Sequence, residues 1–285
     1  MKNILILTDF SENAAGAATF GAYLGSKLHA NIVIFNSYLK FSEALSYAGG
    51  SWVADDVLRW REESKLHVNQ LAESLEQLVA LHAAATEKPM IHCHSAEGNL
   101  GDNLVDIIKE KNIDLIVMGA RTGTAIEHVF WGSDTATVIQ HSTRPVLVVP
   151  AKTDIQNITK VVFATDFEDA DKKALQYLEG LGEIFHFKLE IIHITPPGDD
   201  NKDEKKSTFT HWLSQLEYPY ITYKEISGTD VVEKLNSLCT TTNSELLAMV
   251  HHQHSFFVRL LHESTTKRAL LNQKIPIMVF PSSLE

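Results

Sequence analysis

The sequence contains a long internal repeat. Residues 114–150 align with residues 245–281 without a gap, at a constant offset of 131. The aligned identities are Leu115 with Leu246, Met118 with Met249, Ser133 with Ser264, Thr135 with Thr266, Pro145 with Pro276, Val148 with Val279 and Pro150 with Pro281. Self-similarity of this kind indicates a duplicated domain, and 285 residues suffice for two domains of ordinary size.

Apolar runs alternate with helix-like segments in the first copy. The runs are Ile4–Leu7, Asn31–Phe35, Pro89–Cys93, Asp114–Met118 and Val146–Val149. The helix-like segments are an alanine-rich stretch ending at Leu28, Asp55–Ala84, Asn99–Lys111 and Ser133–Gln140. Runs that are apolar on both faces are typical of parallel strands covered by helices. The pattern predicts a doubly wound α/β domain with a five-stranded parallel sheet.

The same order recurs in the second copy. Its strand-like runs are Val161–Ala164, Leu189–Ile194, Tyr220–Lys224, Leu246–Val250 and Ile277–Phe280, with helices from Asp169 and Thr229. Thr8-Asp9-Phe10 recurs as Thr165-Asp166-Phe167, at an offset of 157. The two offsets differ because the first copy is longer between its second and third strands, where the second has a charged run, Asp199–Lys206, interpreted as a solvated loop. We predict tandem domains at residues 1–150 and 159–285.

Composition and charge limit the classes of partner. The formal net charge of −11 opposes binding to nucleic acid, and no long Lys/Arg run offsets it. No apolar run approaches the length of a membrane span or of a secretory signal. Cys93 and Cys239 are not equivalent in the repeat, which favours unpaired thiols in a reducing compartment. We therefore expect a cytoplasmic protein with no nucleic-acid or membrane partner.

Two loops of the first copy carry residues suited to a ligand site. One follows the first strand and presents Asp9 and Ser11; the other runs from Gly119 to the helix that begins at Gly132-Ser133. Ligands of open parallel sheets bind beyond the carboxyl ends of the strands. Glycines and a helix N-terminus let a phosphate approach backbone N–H groups. The alternative is that Ser133 is an ordinary N-cap and that the glycines are only turn residues.

These residues resemble the universal stress protein family over nearly the whole chain. The resemblance rests on Thr8-Asp9-Phe10-Ser11, on Met118-Gly119, on Gly132-Ser133 placed 13 residues beyond Gly119, and on the closing Pro145–Val149. It implies a Rossmann-like, adenine nucleotide alpha hydrolase-like fold and a binding or signalling role in stress responses. Family members that bind ATP carry glycine, two residues, glycine, nine residues, and glycine with serine or threonine. Here Thr122 takes the middle position and the glycine follows at Gly123.

The resemblance implies ATP or a related adenine nucleotide in the first domain. Asp9 would contact the adenine or ribose, and Ser37 would offer backbone hydrogen bonds to adenine. Gly119 and Arg121 would line the ribose and phosphate path. The full predicted set is Thr8, Asp9, Ser11, Ser37, Met118, Gly119, Arg121, Gly123, Gly132, Ser133 and Asp134. Because Asp134 adds negative charge beside the phosphates, Mg²⁺ is expected to accompany ATP.

The second copy has lost the glycines of this loop. Val250, His254 and Glu263 stand where the first copy has Gly119, Gly123 and Gly132. A branched side chain blocks close approach, and a carboxylate repels an anion. We therefore expect no nucleotide in the second domain, which would have a structural or regulatory role. In the first domain, binding would order the glycine loop and the segment Phe41–Trp52, changing a surface seen by a partner.

Three other interpretations remain open. The first is a nucleotide-free scaffold in which the two domains pack as an internal pseudo-dimer, with a homodimer as a further form. The second is zinc binding, by His92 and His94 with His67 or His82, or by the cluster His251, His252 and His254 with His262. The third is a weak ATPase. No GxSxG, Walker or HExxH motif supports another enzyme class.

Overall fold

The computed structural model describes residues 2–38, 51–83, 88–122, 129–130, 133–151, 153, 158–195, 203–251 and 275–284. The chain divides into two compact units. The first comprises Met1–Arg121 and Gly132–Ala151, and the second comprises Thr122–Trp131 and Lys152–Glu285. The boundaries of 1–150 and 159–285 stay a prediction.

The first unit is a five-stranded parallel sheet with helices between the strands. Its elements are β1 (Asn3–Leu7), α1 (Glu12–Leu28), β2 (Asn31–Tyr38), α2 (Ser51–His82), β3 (Ile91–Glu97), α3 (Leu100–Glu110), β4 (Leu115–Gly119), α4 (Ser133–His141) and β7 (Val146–Val149). Two-residue strands, β5 (Arg121–Thr122) and β6 (Val129–Phe130), follow β4 in the chain, and all of their residues except Arg121 belong to the second unit. The sheet order is β7-β4-β1-β2-β3, and each pair is parallel. The strand order therefore reverses between β1 and β4.

The second unit repeats this topology. Its elements are β8 (Lys160–Ala164), α5 (Asp169–Phe185), β9 (Lys188–Thr195), α6 (Asp203–Leu213), β10 (Ile221–Ser227), α7 (Val231–Thr241), β11 (Leu246–His251) and β12 (Ile277–Pro281). The parallel order is β12-β11-β8-β9-β10, which corresponds strand by strand to that of the first unit. The predicted fold class, two tandem doubly wound α/β domains with five-stranded parallel sheets, is confirmed.

Several predicted element boundaries were wrong. Strand β2 continues to Tyr38, so Ser37 lies within the strand and not after it, and β3 ends at Glu97 instead of Cys93. The charged run at 199–206 is not all loop, because helix α6 begins at Asp203. The segment Phe41–Gly50 lies outside the described residues, and Trp52 belongs to helix α2. These errors share a cause: polar residues at strand and helix ends do not themselves stop an element.

The duplication is visible in the backbone as well as in the sequence. The six described non-glycine residues with positive φ form three pairs of equivalent positions: Phe10 with Phe167, His29 with His186, and Asn112 with Asn243. Their φ angles agree within each pair, at 62° and 65°, 50° and 58°, and 48° and 50°. Non-glycine residues seldom adopt this conformation. The turn after the first strand and the end of the first helix therefore have the same geometry in both domains.

The central strands form the core of each domain. Residues 4–7 of β1 and 115–118 of β4 are buried, as are residues 161–163 of β8 and 246–250 of β11. Branched and aliphatic side chains on both faces of a strand suit a sheet covered on both sides. Among the helices of the described residues, none combines the length and apolar character needed to cross a membrane.

Candidate functional site

A cavity of about 570 Å³ opens at the carboxyl ends of the strands in the first domain. It lies where the strand order reverses, between the ends of β1, β2 and β4, as expected for an open parallel sheet. Its volume is within the range of small-molecule sites. Seven predicted residues line it: Thr8, Asp9, Ser11, Ser37, Met118, Gly119 and Asp134.

The turn from β1 to α1 forms one wall of the cavity. Phe10 takes a positive φ of 62°, which turns the chain from the strand into the helix. Ser11 caps α1, because its Oγ accepts a hydrogen bond from the Ala14 N–H at 3.2 Å. The Asp9 carboxylate accepts from the Ser11 N–H at 3.1 Å and from the Ser11 hydroxyl at 2.5 Å. Asp9 and Ser11 are thus held together at the mouth of the cavity.

Gly119 ends β4 in close contact with the start of α1. A Cβ atom built on Gly119 would lie 2.7 Å from the carbonyl carbon and oxygen of Asn13 and 2.8 Å from the Ala14 nitrogen. Those neighbours are backbone atoms and cannot move aside easily. The Asn13 side chain also donates a hydrogen bond to the Ala120 carbonyl oxygen at 2.8 Å. Gly119 is predicted to let a phosphate approach, and in the structure its missing side chain lets the N-terminus of α1 pack against β4.

The end of β2 provides backbone groups at the cavity. The ladder between β1 and β2 ends with the hydrogen bond from the Thr8 N–H to the Phe35 carbonyl oxygen, at 3.0 Å. In a parallel sheet alternate residues bond to the same neighbour, so the N–H and C=O of Ser37 are on the β1 side as well. Strand β1 ends at Leu7, and the cavity begins there. Ser37 therefore presents one backbone donor and one backbone acceptor toward the space beyond β1.

The turn between β3 and α3 fixes the Ser37 hydroxyl. Ser37 Oγ donates to the Gly98 carbonyl oxygen at 2.8 Å and accepts from Asn103 Nδ2 at 3.0 Å. Gly98 has a φ of 122°, in the region that favours glycine. Asn99 caps α3 by accepting from the Gly101 N–H at 2.7 Å. The Ser37 side chain is therefore part of the wall, while its backbone is the part that can reach a ligand.

Asn36 ties the second strand to the first turn. Its side chain donates to the Thr8 carbonyl oxygen at 2.7 Å and accepts from the Ser64 hydroxyl of helix α2 at 2.7 Å. Sequence reasoning missed Asn36, together with Asn13, Asn99 and Asn103. A signal for Asn36 was present, because a polar residue within an apolar strand must find a hydrogen-bonding partner when buried. Asn13 and Asn103 are harder to recognise, since Asn13 donates to Ala120, 107 residues away, and Asn103 donates to Ser37, 66 residues away, as well as to the nearby Glu97.

The charges around the cavity are negative. Asp9 lies at one side and Asp134, in the first turn of α4, at another. None of the described residues that line the cavity is Lys, Arg or His. The N-termini of α1, α3 and α4 all reach it, and helix N-termini carry partial positive charge. Within the described lining, the groups with positive character are therefore backbone N–H groups at helix ends and not basic side chains.

The remaining predicted site residues are only partly described. For Arg121 and Ser133 the structure gives the backbone, with Ser133 as the first residue of α4. Gly123 and Gly132 lie outside the described residues, as do most positions between β5 and α4. The assignment of all eleven residues to nucleotide binding stays a prediction.

In the second domain, the carboxylate of Asp171 accepts hydrogen bonds from the turn after β8. Asp171 is 1% exposed, and its Oδ2 accepts hydrogen bonds from Thr165 Oγ1 at 2.7 Å, the Asp166 N–H at 3.0 Å and the Glu168 N–H at 3.2 Å. The equivalent residue of the first domain is Ala14, which lines the cavity. Val250 occupies the position of Gly119 on the matching strand, since Gly119 pairs with Val149 and Val250 with the equivalent Phe280. The carboxylate of Asp171 therefore occupies the space that is open beside Ala14 in the first domain.

Aromatic rings close the same region of the second domain. Phe167 is 5% exposed and lies over the ring of His193, with 4.1 Å between the centroids. Phe209 and Tyr223 contact the same phenyl ring. In the first domain the equivalent Phe10 is 37% exposed and meets only the edge of His67 among the described aromatic contacts. The two domains therefore share a backbone turn but differ in what occupies the space beside it.

The histidines proposed as metal ligands have other contacts. His67 packs against Phe10, while His82 packs against Tyr23 and lies 3.0 Å from the Leu78 carbonyl oxygen. Partial burial and the nearby Lys111 lower the pKa of His94. Within the described part of the chain, no group of three or more His, Cys, Asp or Glu side chains is arranged to hold a metal ion. His252, His254 and His262 lie outside the described residues.

The strand order and the reversal point define a doubly wound α/β domain, and the cavity lies beyond the reversal point. A sequence model described as the universal stress protein family matches residues 1–150. The chain belongs to the universal stress protein family, as its motifs indicated.

Individual relatives agree with this membership. Universal stress protein Slr1230 of Synechocystis is 28% identical over an alignment of 307 positions that covers 98% of this chain and 100% of the relative. A universal stress protein structure from Archaeoglobus fulgidus has a TM-score of 0.69 at 19% identity and covers 98% of both chains. A putative universal stress protein from Pseudomonas aeruginosa has a TM-score of 0.59 at 12% identity, over 99% of this chain and 93% of that one. Identities this low show the fold alone.

Proposed function

We propose that the protein is a stress-response binding or signalling protein that binds an adenine nucleotide or nucleoside in its first domain. The observation that carries the proposal is the open cavity at the reversal point, with Ser37 presenting a backbone donor and acceptor beside it. The accessible edge of an adenine ring has a ring-nitrogen acceptor next to an amino donor. One backbone C=O and one N–H of the same residue can bond to that pair.

The second domain supports the proposal by contrast. Asp171 and Phe167 occupy the space beside the turn after β8, whereas the equivalent Ala14 lines the open cavity, and Val250 stands where the first domain has Gly119. We infer that this domain binds no nucleotide and serves a structural or regulatory role. A single ligand per chain is then expected.

The mechanism would be a shift of population between two states. One state would have the β1–α1 turn and the start of α4 facing the cavity together. A ligand that contacts both elements would stabilise that state. Only a difference in affinity between two arrangements can shift their populations. The surface around the cavity mouth would then differ between the free and bound protein, and a partner would respond to that difference. Hydrolysis is not required for this role.

Equilibrium binding to the full-length protein tests the proposal. Isothermal titration with adenosine, AMP, ADP and ATP, with and without Mg²⁺, should give one site per chain for at least one compound. The variant Ala14→Asp introduces the equivalent of Asp171 into the cavity wall and should abolish binding without crowding the backbone of β4. The matched variant Gly119→Val introduces the residue of the second domain and should abolish binding as well, although a side chain there also meets the Asn13 backbone. Its control is Gly180→Ala, at an exposed helix position where an added Cβ meets nothing within 4 Å. Absence of binding below millimolar concentration for every compound would refute the proposal.

A further inference from the structure

We infer that Asn103 is a positioning residue that makes the first domain select adenine over hypoxanthine, because it holds the Ser37 hydroxyl away from the base. This inference rests on the proposed function, since it names the base that the same cavity accepts. Asn103 is not one of the described residues that line the cavity, so it acts through Ser37.

The first step is the direction of the hydrogen bonds around Ser37. Asn103 Nδ2 lies 3.0 Å from Ser37 Oγ and 3.3 Å from the Glu97 carbonyl oxygen. A carbonyl oxygen only accepts, so the amide nitrogen of Asn103 must face Glu97, and the same nitrogen donates to Ser37 Oγ. The hydrogen of the Ser37 hydroxyl then points to the Gly98 carbonyl oxygen, at 2.8 Å. The hydroxyl therefore has its hydrogen and a lone pair engaged within the wall of the cavity.

The second step is how the end of β2 is held. On one side of Ser37 in the chain, the Tyr38 carbonyl oxygen accepts from the Gly98 N–H at 2.9 Å. On the other side, Asn36 Nδ2 donates to the Thr8 carbonyl oxygen at 2.7 Å. Both neighbours of Ser37 are thus tied to other segments. The backbone of Ser37 therefore meets a ligand in a fixed position, with its N–H as a donor and its C=O as an acceptor.

The third step is the hydrogen-bonding pattern of each base. Adenine has a ring-nitrogen acceptor next to an amino donor, whereas hypoxanthine has a ring N–H donor next to an oxygen acceptor. A free hydroxyl can rotate to donate or to accept, so it would tolerate both patterns. Groups with fixed roles leave the hypoxanthine pattern unpaired, and a site built for one pattern rejects a ligand that lacks it. Engaging the Ser37 hydroxyl in the wall therefore sharpens the choice of base.

The second domain has other residues at both positions. Ile194 stands at the position of Ser37, at the offset of 157, and Lys234 at that of Asn103, at the offset of 131. The second domain nevertheless keeps the backbone bond at the end of its second strand, because the Gly228 N–H donates to the carbonyl oxygen of the last residue of β9 at 3.1 Å. The turn before the helix thus forms without an asparagine at this position. This contrast argues against a purely structural need for Asn103.

Isothermal titration of the full-length protein with compounds that differ only in the base tests this inference. The pairs are adenosine with inosine, AMP with IMP, and ATP with ITP in Mg²⁺. For a pair that binds, we expect the adenine compound to bind at least about tenfold more tightly, a difference of about 1.4 kcal/mol. Asn103→Leu removes the donor and should reduce this ratio at least about threefold. Asn103→Asp has nearly the same shape but cannot donate to Ser37, so it should reduce the ratio as well.

A double variant separates positioning from stabilisation. Ser37→Ala removes the hydroxyl and keeps the backbone groups, so it should retain the preference of the parent. In the Ser37→Ala background, Asn103→Leu should change the ratio by less than about twofold, because the hydroxyl through which Asn103 acts is gone. The control Asp106→Asn, at an exposed position of α3 outside the described cavity lining, should leave the ratio unchanged.

The outcomes distinguish this inference from the proposed function. If an adenine compound binds but both Asn103 variants weaken the two members of a pair by the same factor, the inference is overturned while the proposed function stands. The same holds if the parent does not prefer the adenine compound, or if Asn103→Leu still reduces the ratio in the Ser37→Ala background. If no adenine compound binds, both are overturned.

Discussion

Asn36 and His193 occupy equivalent positions, and each donates a hydrogen bond to the equivalent threonine carbonyl oxygen, one from an amide and the other from an imidazole. Asn36 Nδ2 donates to the Thr8 carbonyl oxygen at 2.7 Å, and His193 Nδ1 lies 2.8 Å from the Thr165 carbonyl oxygen. Both residues are buried, at 8% and 2% exposure. Since a carbonyl oxygen can only accept, the imidazole must donate from Nδ1. Each domain thus ties its second strand to the turn after its first strand.

Replacing Asn36 should destabilise the first domain. The variant Asn36→Leu leaves the Thr8 carbonyl and the Ser64 hydroxyl without this partner in a buried place, which should lower the free energy of unfolding by about 2 kcal/mol. Chemical denaturation of the full-length protein measures the loss. The comparison variant His193→Asn gives the second domain the residue that the first domain has at the equivalent position. It should lower the free energy of unfolding by less than His193→Leu does. Equal costs for the two His193 variants would contradict a hydrogen-bonding role.

Gly119 should tolerate no side chain. In Gly119→Ala the methyl group would lie 2.7 Å from the backbone of Asn13, so α1 or β4 must shift. Overpacking of this kind costs about 1–3 kcal/mol. The control Gly180→Ala, in the exposed interior of α5, should raise stability by about 0.5–1 kcal/mol. Thermal unfolding of the two variants should therefore move in opposite directions, and a shift of the same sign in both would disprove the close contact.

Asp171 should be essential for the second domain. Its Oδ2 accepts three hydrogen bonds, two of them from backbone N–H groups of the turn after β8. Asp171→Ala removes the acceptor from the buried Thr165 hydroxyl and from two part-buried N–H groups, at a cost of about 1–3 kcal/mol. Hydrogen exchange of the Asp166 and Glu168 amides is the direct measurement and should accelerate in the variant. Unchanged protection of both amides would show that the carboxylate is not their partner.

Glu190 should make the second domain sensitive to acid. It is 2% exposed in β9, its Oε2 lies 2.9 Å from Lys160 Nζ, and its Oε1 contacts Lys224 Nζ. Burial alone would raise the pKa of Glu190, but hydrogen bonds from Lys224 and Lys160 outweigh it and hold the pKa below its usual value. A lowered folded-state pKa stabilises the fold above the unfolded-state pKa, about 4.3, and this stabilisation is lost as the pH falls through the folded-state pKa.

The variant Glu190→Gln tests the acid sensitivity. It cannot ionise, so it should be less stable than the parent at pH 7, by about 2 kcal/mol, and should lose less stability between pH 7 and pH 3. Urea denaturation at several pH values gives both quantities. Parallel stability curves for the parent and the variant would mean that Glu190 titrates normally.

The fold was readable from the sequence because its signals are local. Runs such as Ile4–Leu7 and Val146–Val149 are apolar on both faces. The repeat supports their assignment as strands, because an equivalent run occurs in the second copy. Element ends were less readable. Ser37 was placed after β2 because a polar residue usually marks the end of an apolar run, yet its hydroxyl is paired with Gly98 and Asn103 and the strand continues.

The site was readable only in part for a similar reason. Thr8, Asp9 and Gly119 stand out through motif spacing, and the structure brings them together at one cavity. The role of Gly119 against Asn13, and the substitution of Ala14 by Asp171, depend on contacts between segments far apart in the chain. Such contacts leave no periodic or spaced pattern in the sequence.

The residues that fill the second domain affect whether its site could be regained after the duplication. Val250, which stands where the first domain packs Gly119 against α1, is one of them. A reversal of Val250 to glycine would not restore an open site in the second domain, because the carboxylate of Asp171 and the ring of Phe167 would still occupy it. Removing Asp171 first would take the acceptor away from the buried Thr165 hydroxyl and from two part-buried N–H groups. Each single step back is therefore unfavourable by itself. The divergence of the second domain is therefore difficult to reverse by single substitutions, because packing and hydrogen bonding within that domain stabilise its present residues.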